Sequence, residues 1–561
     1  LGLINNEEHL AAYQAPITAS YHDEISEIHA PYIAEMARQE IIQEFGTEAY
    51  TSGMKVFLTI DSTLQKAANE AVISGLESYD RRHGYRGHIK KLPEKTLKDR
   101  SALLSALDDT KIPSHHEAAV ITELLDNEAL LLLASGDVGK LSIKDANWAK
   151  PFMSINRTGS PPEKLSDFLS VGSVIEVKKL ADSPNYALTQ TPDAQSALVS
   201  LDPENGAIKA LVGGYDFSLS HYNRATQAKR QPGSNFKPFI YLSALENGAT
   251  ASTLINDAPI VFDDKNLEAT WRPENSSGKF YGPTRIRKAL YNSRNLVSIR
   301  LLQETGVGNA LKTASHFGFD RTDLPRDLSL ALGNASLTPL MLANGYSRIA
   351  NGGFEVNPFL IDYIEDYEGN IIFRAKPSTA CTKCFDKNNT APSFTPAKRI
   401  ADARAVYIMH SMLKDVITLG TGRRARSLNR NDLAGKTGTT NDQKDAWFSG
   451  FNTQLQTTVW VGFDQPSSLG RREYGASAAL PIWADYMATA LKGKPAAHML
   501  QPDGIVTARI DKESGKAALP GAANSMFEIY RKENTPKEVQ TSTRSNSSGE
   551  RQKTISPEDI Y

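Results

Sequence analysis

The chain has 561 residues, which at roughly 150 residues per domain suggests three or four domains. Its 63 Lys and Arg and 64 Asp and Glu give a net charge of −1, so we expect no nucleic-acid partner. Two cysteines exclude a disulfide scaffold and a multi-cysteine zinc module. No run reaches the roughly 18 apolar residues of a membrane helix. Because the first residue is Leu1 rather than Met, we expect that an upstream segment has been removed.

The first part of the chain is predicted to form helices and one strand. Asn5–Glu8 suits the start of a short helix, and Pro31 suits the first turn of a second one. Lys55–Ile60 is rich in β-forming residues, and Ser62–Gln65 then predicts a capping box for a helix that runs to about Glu77. This strand-to-helix unit indicates the beginning of a domain.

Between residues 87 and 192 the pattern changes to short alternating runs. Residues 118–122 and 174–177 are typical, and turn-rich stretches such as 159–162 separate them. Several short strands separated by turn-rich stretches predict a small all-β barrel or sandwich.

From Ser196 onwards the sequence again predicts a mixed α/β domain. Residues 196–202 and 208–213 suit a hairpin around a Pro-Glu-Asn-Gly turn, and residues 446–451 and 457–463 suit a second hairpin. Helical segments fill much of the chain between the two hairpins. The pattern therefore predicts an α/β domain that is interrupted by a β insertion.

The C-terminal residues 531–561 carry almost no apolar side chains. Their only apolar or aromatic members are Val539, Ile555, Ile560 and Tyr561. A segment this polar cannot offset its ordering entropy by burial, so we expect disorder.

A first candidate for chemistry is the Ser-x-x-Lys pair of Ser234 and Lys237. A helix that begins at Ser234 places both side chains on one face, and the preceding Pro-Gly allows close approach of the backbone. The serine could act as a nucleophile with the lysine as its base. The same spacing recurs at Ser276–Lys279 and Ser411–Lys414, which suit a loop and the middle of a helix.

The second candidate is the Ser-x-Asn pair of Ser293 and Asn295. A hydroxyl and a carboxamide two residues apart, on a loop between helices, can face one cleft. Ser293 could relay a proton and Asn295 could orient the base or a substrate amide. A simple helix cap is the alternative interpretation.

The third candidate is the Lys-Thr-Gly-Thr run of Lys436, Thr437, Gly438 and Thr439. Lys436 could supply a fixed positive charge, and the two threonines share one strand face next to a glycine that leaves room for a peptide. These features suit recognition of an extended peptide that ends in a carboxylate. An ordinary exposed strand is the alternative. A phosphate-binding loop fits less well, because Arg430 stands where such a loop has its first glycine.

The three motifs in this order resemble those of penicillin-binding proteins and serine β-lactamases. Further stretches resemble the class A penicillin-binding proteins of the 1A type, and the resemblance extends to about residue 500. These stretches are Arg82–Gly87, Ala210–Tyr215, Asn223–Ala228 and Ala331–Gly333.

The resemblance implies a D,D-transpeptidase that cross-links peptidoglycan through a serine acyl-enzyme and is inhibited by β-lactams. Ser234 would attack the penultimate D-Ala of a stem peptide, with Lys237 as base. Ser293 and Lys436 would relay the proton, and Asn295 would orient the site. The substrate carboxylate would lie on Thr437, Gly438 and Thr439, and the amides of Ser234 and Thr439 would form an oxyanion hole. The expected partners are stem peptides ending in D-Ala-D-Ala and β-lactams, with no cofactor and no metal.

The resemblance also implies an architecture. It is a multi-domain α/β fold, in which a transpeptidase domain of antiparallel sheet and helices is interrupted by an OB-like insert. The expected parts are a linker remnant (1–53), the transpeptidase domain (54–86 and 193–500), the insert (87–192), an extension (501–530) and the tail (531–561). Family members carry an N-terminal membrane helix and a glycosyltransferase domain, so we expect a fragment of a parent anchored at the periplasmic face of the inner membrane. Such a fragment would cross-link glycan but not polymerise it.

Two enzymatic alternatives stay open, a D,D-carboxypeptidase and a β-lactamase, in which water resolves the acyl-enzyme. A non-catalytic β-lactam sensor of the same fold is a third.

Several other residues have plainer interpretations. Cys381 and Cys384 suit a local disulfide in an extracytoplasmic protein. Trp447 and Trp460 suit a hairpin core, with the lining of the substrate cleft as the alternative. The histidines lack metal-ligand spacing and suit solvated or capping positions; they are His83, His88, His115 and His116.

Overall fold

The structure is a computed structural model, and it describes residues 26–181, 183–261, 271–381, 384 and 393–537. The α-helices of this part are α1 (Pro31–Phe45), α2 (Ser62–His83), α3 (Glu94–Leu97), α4 (Arg100–Asp108), α5 (Lys237–Glu246), α6 (Ile286–Tyr291), α7 (Asn295–Thr305), α8 (Val307–His316), α9 (Pro339–Ala350), α10 (Ala403–Thr418) and α11 (Leu480–Ala490).

The strands of the same part are numbered along the chain. They are β1 (Lys55–Leu58), β2 (Lys90–Lys91), β3 (Glu117–Leu124), β4 (Glu128–Leu133), β5 (Val138–Ser142), β6 (Phe152–Ser154), β7 (Arg157–Thr158), β8 (Ser173–Lys179), β9 (Asn185–Thr189), β10 (Gln195–Leu201), β11 (Ile208–Val212), β12 (Leu254–Asp257), β13 (Gly282–Arg285), β14 (Ile361–Glu365), β15 (Ile371–Arg374), β16 (Ala434–Thr439), β17 (Asp445–Phe451), β18 (Gln456–Gly462), β19 (Ile505–Asp511) and β20 (Ser525–Arg531).

A five-stranded antiparallel sheet, in the order β11-β10-β18-β17-β16, forms the centre of the main domain. Every residue of β17 and β18 is buried, because helices cover both faces of the sheet. Alternate residues of β10 pack into two separate hydrophobic cores, one on each face of the sheet. Val199 packs with α5 and α9 on one face, and Leu198 packs with α2 and α11 on the other. Strand β16 is the edge of this sheet.

The two hairpins predicted from the sequence lie side by side in this sheet. Strand β10 pairs with both β11 and β18, so the hairpins join into one sheet through a contact between strands that are distant in the chain. Trp447 and Trp460 are fully buried in its core, as the hairpin-core interpretation predicts.

Most strands between residues 90 and 189 form a second sheet that closes on itself, whereas β6 and β7 pair only with each other. Strand β8 pairs with β3 and with β9, and β9 also pairs in parallel with β5, so β3, β4, β5, β9 and β8 make a ring. The prediction of a β insert is therefore confirmed in its main feature.

The insert is not all-β, because α3 and α4 lie within it. The sequence interpretation missed α4, which Asp99 caps by accepting hydrogen bonds from the amides of Ser101 and Ala102. Leu103 and Leu107 of this helix are buried against the barrel. Tertiary packing of these two leucines stabilises a helix that is only nine residues long.

The N-terminal elements follow the predicted order of helix, strand and helix. Helix α1 begins at Pro31 as predicted, whereas the helix predicted near Asn5–Glu8 lies outside the described residues. Helix α2 is longer than predicted and reaches His83. Its cap is Asp61, whose carboxylate accepts a 2.9 Å hydrogen bond from the amide of Leu64, so the predicted capping box of Ser62 and Gln65 is wrong.

The C-terminal part adds one antiparallel hairpin of β19 and β20. Strand β20 ends at Arg531, one residue beyond the predicted boundary at residue 530, and a 3₁₀ turn (Lys532–Asn534) follows it. Residues 538–561 of the predicted tail lie outside the described residues.

Cys381 and Cys384 form a disulfide, as the sequence interpretation expects. Among the described helices, none has the length and apolar character that crossing a membrane requires.

Candidate active site

Ser234 lies where a 3₁₀ turn, Gly233–Phe236, leads into α5. Gly233 has a φ of 55°, and a Cβ at this position would lie 2.6 Å from the carbonyl oxygen of Thr439. Only glycine allows both this backbone conformation and this approach. The Pro-Gly entry to the motif therefore places the Ser234 backbone directly against the edge strand β16.

Lys237 is fully buried one helical turn after Ser234. Its Nζ donates hydrogen bonds to the carbonyl oxygen of Ser293 at 2.9 Å and to Oδ1 of Asn295 at 2.7 Å. Burial, followed by the positive charges of Lys436 and Arg294, holds the pKa of Lys237 well below its ordinary value. A neutral amine has two N–H donors and one lone pair, so these two hydrogen bonds leave the lone pair free to accept a proton.

Ser293 occupies a strained turn between α6 and α7. Its φ is 58°, a left-handed conformation that residues other than glycine rarely adopt. The amides of Ser293 and Arg294 donate to the carbonyls of Leu290 and Ala289, so the end of α6 holds the turn. The turn aims the carbonyl of Ser293 at Lys237 and its hydroxyl at Lys436.

Asn295 is the first residue of α7, and both ends of its carboxamide are fixed. Nδ2 donates to the carbonyl oxygen of Glu274 at 2.8 Å, which leaves Oδ1 to face Lys237. Its backbone amide donates to Oδ1 of Asn275 at 2.9 Å. The N-cap of α7 is Arg294 and no side chain caps the helix, so the helix-cap interpretation of the Ser-x-Asn motif is wrong.

Lys436 lies fully buried on β16 and faces the Ser293 turn. Its Nζ donates to Oγ of Ser293 at 3.0 Å and to the carbonyl oxygen of Thr437 at 2.9 Å. Burial lowers the pKa of Lys436 to about 7. A lysine with this pKa titrates near neutral pH, whereas the sequence suggests a fixed positive charge at this position.

The remaining residues of the third motif line the edge of the sheet. Oγ1 of Thr437 is 2.7 Å from Oγ1 of Thr421, and Oγ1 of Thr439 accepts a hydrogen bond from the amide of Gly475 at 3.0 Å. A Cβ on Gly438 would lie 2.4 Å from the carbonyl oxygen of Pro232. Gly438 therefore permits close packing of β16 against the Ser234 segment, in addition to the room for a peptide that the sequence suggests.

The structure brings the residues of all three motifs together at one edge of the sheet. Hydrogen bonds connect Lys237 through Ser293 to Lys436, although these residues are up to 199 positions apart in the chain. The competing Ser-x-x-Lys pairs lie elsewhere. Ser276 and Lys279 are exposed on a loop, and Ser411 lies within α10, where it accepts a hydrogen bond from Arg287.

Asn275, Thr421 and Gly475 are among the residues at this site that escaped the sequence interpretation. Each forms a hydrogen bond with a motif residue from a segment outside the motifs. The polar run that contains Asn275 was visible in the sequence, but it suggested only a loop.

The environment of His116 differs from the one that the sequence predicts. His116 is buried rather than solvated, and its ring contacts Oε2 of Glu176 at 2.8 Å and the hydroxyl of Tyr215 at 3.1 Å. Ligand atoms of Glu77, His115 and His116 lie within 4.8 Å of one another, a grouping that sequence spacing did not reveal. Because the hydrogen bonds to Glu176 and Tyr215 engage both ring nitrogens of His116, this grouping is a polar network between α2 and the insert.

Two family models match the chain. The family described as "Penicillin binding protein transpeptidase domain" matches residues 196–488, and the family described as "Penicillin-binding protein OB-like domain" matches residues 85–194.

Curated relatives and solved structures match most of the chain. It is 47% identical over 571 residues to penicillin-binding protein 1A of Pseudomonas aeruginosa, which covers 96% of this chain and 69% of that protein. It is 38% identical over 590 residues to penicillin-binding protein 1A of Vibrio cholerae, with 98% and 71% covered. Its structure resembles that of penicillin-binding protein 1A from Haemophilus influenzae with a TM-score of 0.86 and 36% identity, over 96% of this chain and 80% of that one.

Proposed function

We infer that this chain, which belongs to the class A penicillin-binding proteins of the 1A type, is a peptidoglycan D,D-transpeptidase whose acyl-enzyme forms on Ser234. One observation carries the assignment of the site. Lys237, Ser293, Asn295 and Lys436 form one hydrogen-bonded group beside Ser234.

Acylation begins when Oγ of Ser234 attacks the carbonyl carbon of the penultimate D-Ala. Lys237 receives the hydroxyl proton, since burial and the positive charges of Lys436 and Arg294 lower its pKa and so favour the neutral amine. The N–H groups of Ser234 and Thr439 stabilise the oxyanion. The contact between Gly233 and the Thr439 backbone supports this assignment, because it makes the two amide-bearing segments neighbours.

The tetrahedral intermediate collapses when its C–N bond breaks. The amine of the terminal D-Ala takes a proton from Ser293, which Lys436 resupplies across their 3.0 Å hydrogen bond. An amine of a second stem peptide then attacks the ester carbon and loses a proton to Ser293 and Lys436. The C–O bond of the ester breaks, and Lys237 returns its proton to the departing Oγ of Ser234. The sum of both steps is one new amide cross-link and one free D-Ala.

Substrate recognition is assigned to the edge strand. The carboxylate of the donor peptide lies against the hydroxyls of Thr437 and Thr439, within reach of the charge of Lys436. A β-lactam presents the same carboxylate and a strained amide, so it acylates Ser234 in the same way. The disulfide of Cys381 and Cys384 suits the oxidising compartment outside the cytoplasm in which peptidoglycan is made. We assign the chain to the periplasmic face of the inner membrane.

The test uses a labelled penicillin and intact-mass measurement over time. The wild-type chain should gain one adduct, Ser234→Ala should gain none, and the matched control Ser276→Ala, from the exposed second Ser-x-x-Lys pair, should behave as wild type. An adduct that persists in Ser234→Ala refutes the nucleophile assignment. Loss of the adduct within seconds indicates a β-lactamase. Stem peptide with a D-amino acid acceptor then separates transfer from hydrolysis.

A further inference from the structure

The C-terminal hairpin of β19 and β20 places a buried carboxylate against the main domain. This hairpin follows residue 488, where the match to the transpeptidase family ends. Glu528 on β20 is almost fully buried, although its strand neighbour Phe527 is exposed. A buried carboxylate needs partners, because its desolvation is costly when they are missing.

Glu528 has two arginine partners: Arg287 on α6 holds it through hydrogen bonds, and Nη1 of Arg285 lies 3.6 Å from its Oε2. The guanidinium of Arg287 binds the carboxylate through both of its oxygens, at 2.6 Å and 2.8 Å, in the two-pronged geometry that arginine favours. The same guanidinium donates to Oδ2 of Asp415 at 2.9 Å and to Oγ of Ser411 at 3.1 Å, both on α10. One buried cation therefore ties together the hairpin, α6 and α10.

Helix α6 connects this cation to the Ser-x-Asn motif. Arg287 is the second residue of a helix of six residues, and the strained turn at Ser293 follows it directly. Because Leu290 and Ala289 hold the amides of Ser293 and Arg294, a displacement of α6 moves both polar groups of Ser293. Those groups contact Lys237 and Lys436.

Helix α10 connects the same cation to the Lys-Thr-Gly motif. Shortly after this helix ends, Thr421 donates its amide to the carbonyl of Tyr291 and places its hydroxyl 2.7 Å from that of Thr437. The α6 and α10 segments thus meet twice, at Arg287 and at Thr421. The first contact also includes the C-terminal hairpin, and the second includes the residue that contacts Thr437.

We propose that Arg287 and Glu528 are positioning residues, which hold α6 and α10 at the spacing that aligns Ser293 with Lys436. The inference rests on the proposed function of Ser293 and Lys436. It assigns the C-terminal hairpin a role in acylation, although the hairpin lies outside the cleft.

The test compares two carboxylates near the C-terminal end of the hairpin. Glu528→Gln removes the buried charge, while Glu533→Gln removes an exposed carboxylate that binds Arg404 at 3.0 Å and serves as the matched control. Rapid-mixing measurement with a labelled penicillin separates the dissociation constant of the first complex from the first-order acylation constant. We expect Glu528→Gln to lower the acylation constant by about 10- to 100-fold, the scale of a misplacement of about 1 Å, and Glu533→Gln to leave it unchanged.

A purely structural role gives a different result. Glu528→Gln would then lower the melting temperature, yet acylate at the wild-type rate constant well below that temperature, and this outcome overturns the proposal. If Glu528→Gln does not fold, Arg287→Lys is measured instead, because it keeps the charge and loses the two-pronged geometry. Failure of the wild-type chain to form an adduct on Ser234 would refute the proposed function itself, which keeps the two failures distinguishable.

Discussion

Nζ of Lys237 lies 2.7 Å from Oδ1 of Asn295, and this neutral oxygen is its nearest side-chain acceptor. The lysine therefore gains a hydrogen bond without gaining a counter-ion. The charge of Asp257 favours the protonated form of Lys237, but burial and the positive charges of Lys436 and Arg294 outweigh it. A carboxamide rather than a carboxylate at position 295 thus adds no negative charge that would raise the pKa of Lys237.

Asn295→Asp should therefore move the pH dependence of acylation. An added negative charge raises the pKa of Lys237, so a smaller fraction of the base is neutral and the acylation rate at neutral pH falls. We expect the acidic limb of the pH–rate profile to move upward by about one to three pH units. Acylation rates between about pH 5 and 10 give the profile. Asn295→Ala is the control, since it removes the hydrogen bond without adding charge; an acidic limb that stays in place in Asn295→Asp contradicts the base assignment.

The alkaline limb of the same profile should report Lys436. Its pKa is about 7, and its protonated form donates to Ser293 and Thr437. Acylation should accordingly decline as the pH rises through this value, since the relay then loses its proton donor. Lys436→Arg stays protonated throughout, so its profile should lack this limb even if its maximal rate is lower. An unchanged alkaline limb in Lys436→Arg would assign that limb to another group.

Gly438→Ala tests the close approach between β16 and the Ser234 segment. The new Cβ would meet the carbonyl oxygen of Pro232 at 2.4 Å and Cβ of Asn235 at 2.8 Å, so the strand must move away from Ser234. We expect a loss of acylation of about 100-fold and a stability cost of about 1–3 kcal/mol. Gly308→Ala on α8 is the matched control, because nothing lies within 4 Å of its Cβ and alanine favours a helix. Near-normal acylation by Gly438→Ala would show that β16 can shift to accommodate the new Cβ without displacing Ser234.

The pairing of side chains within each motif could be predicted from the sequence because it depends on local geometry. The choice of Ser234 among three Ser-x-x-Lys pairs depended on the order of the motifs and on the family resemblance, and the catalytic roles stay predictions. Ser234 and Lys237 share a helical turn, and Thr437 and Thr439 share a strand face, whatever the rest of the fold does. The hairpin from Gln195 to Val212 was predictable for the same reason, since its alternation and its turn lie within 18 residues.

Contacts between distant segments could not be predicted in this way. Thr421 and Gly475 reach the site only through the packing of α10 and the chain before α11 against β16. The pKa of Lys436 also depends on tertiary burial, so its sequence neighbours suggested a permanent charge where the fold produces a titrating one. Helix α4 was missed because the burial of Leu107, rather than a long periodic pattern, stabilises it.

A last prediction concerns the polar network that joins α2 to the insert through His116. Burial alone would lower the pKa of His116, but the hydrogen bonds and charges of Glu176 and Glu77 outweigh burial and raise it. The groups that face this ring also include Tyr215, His115 and the ion pairs of Glu77 with Lys178 and Arg81.

A raised pKa in the folded state means that the protonated ring stabilises the fold. This contribution is complete below the unfolded pKa of about 6.5 and is lost as the pH rises through the folded value. Urea unfolding should therefore show a free energy of unfolding that falls by about 1.4 kcal/mol for each pH unit between these two values. His116→Gln should be less stable than wild type at about pH 6 and should lack this dependence. Equal slopes in both proteins would mean that His116 is neutral in the folded state, and that the network is held by hydrogen bonds without the charge.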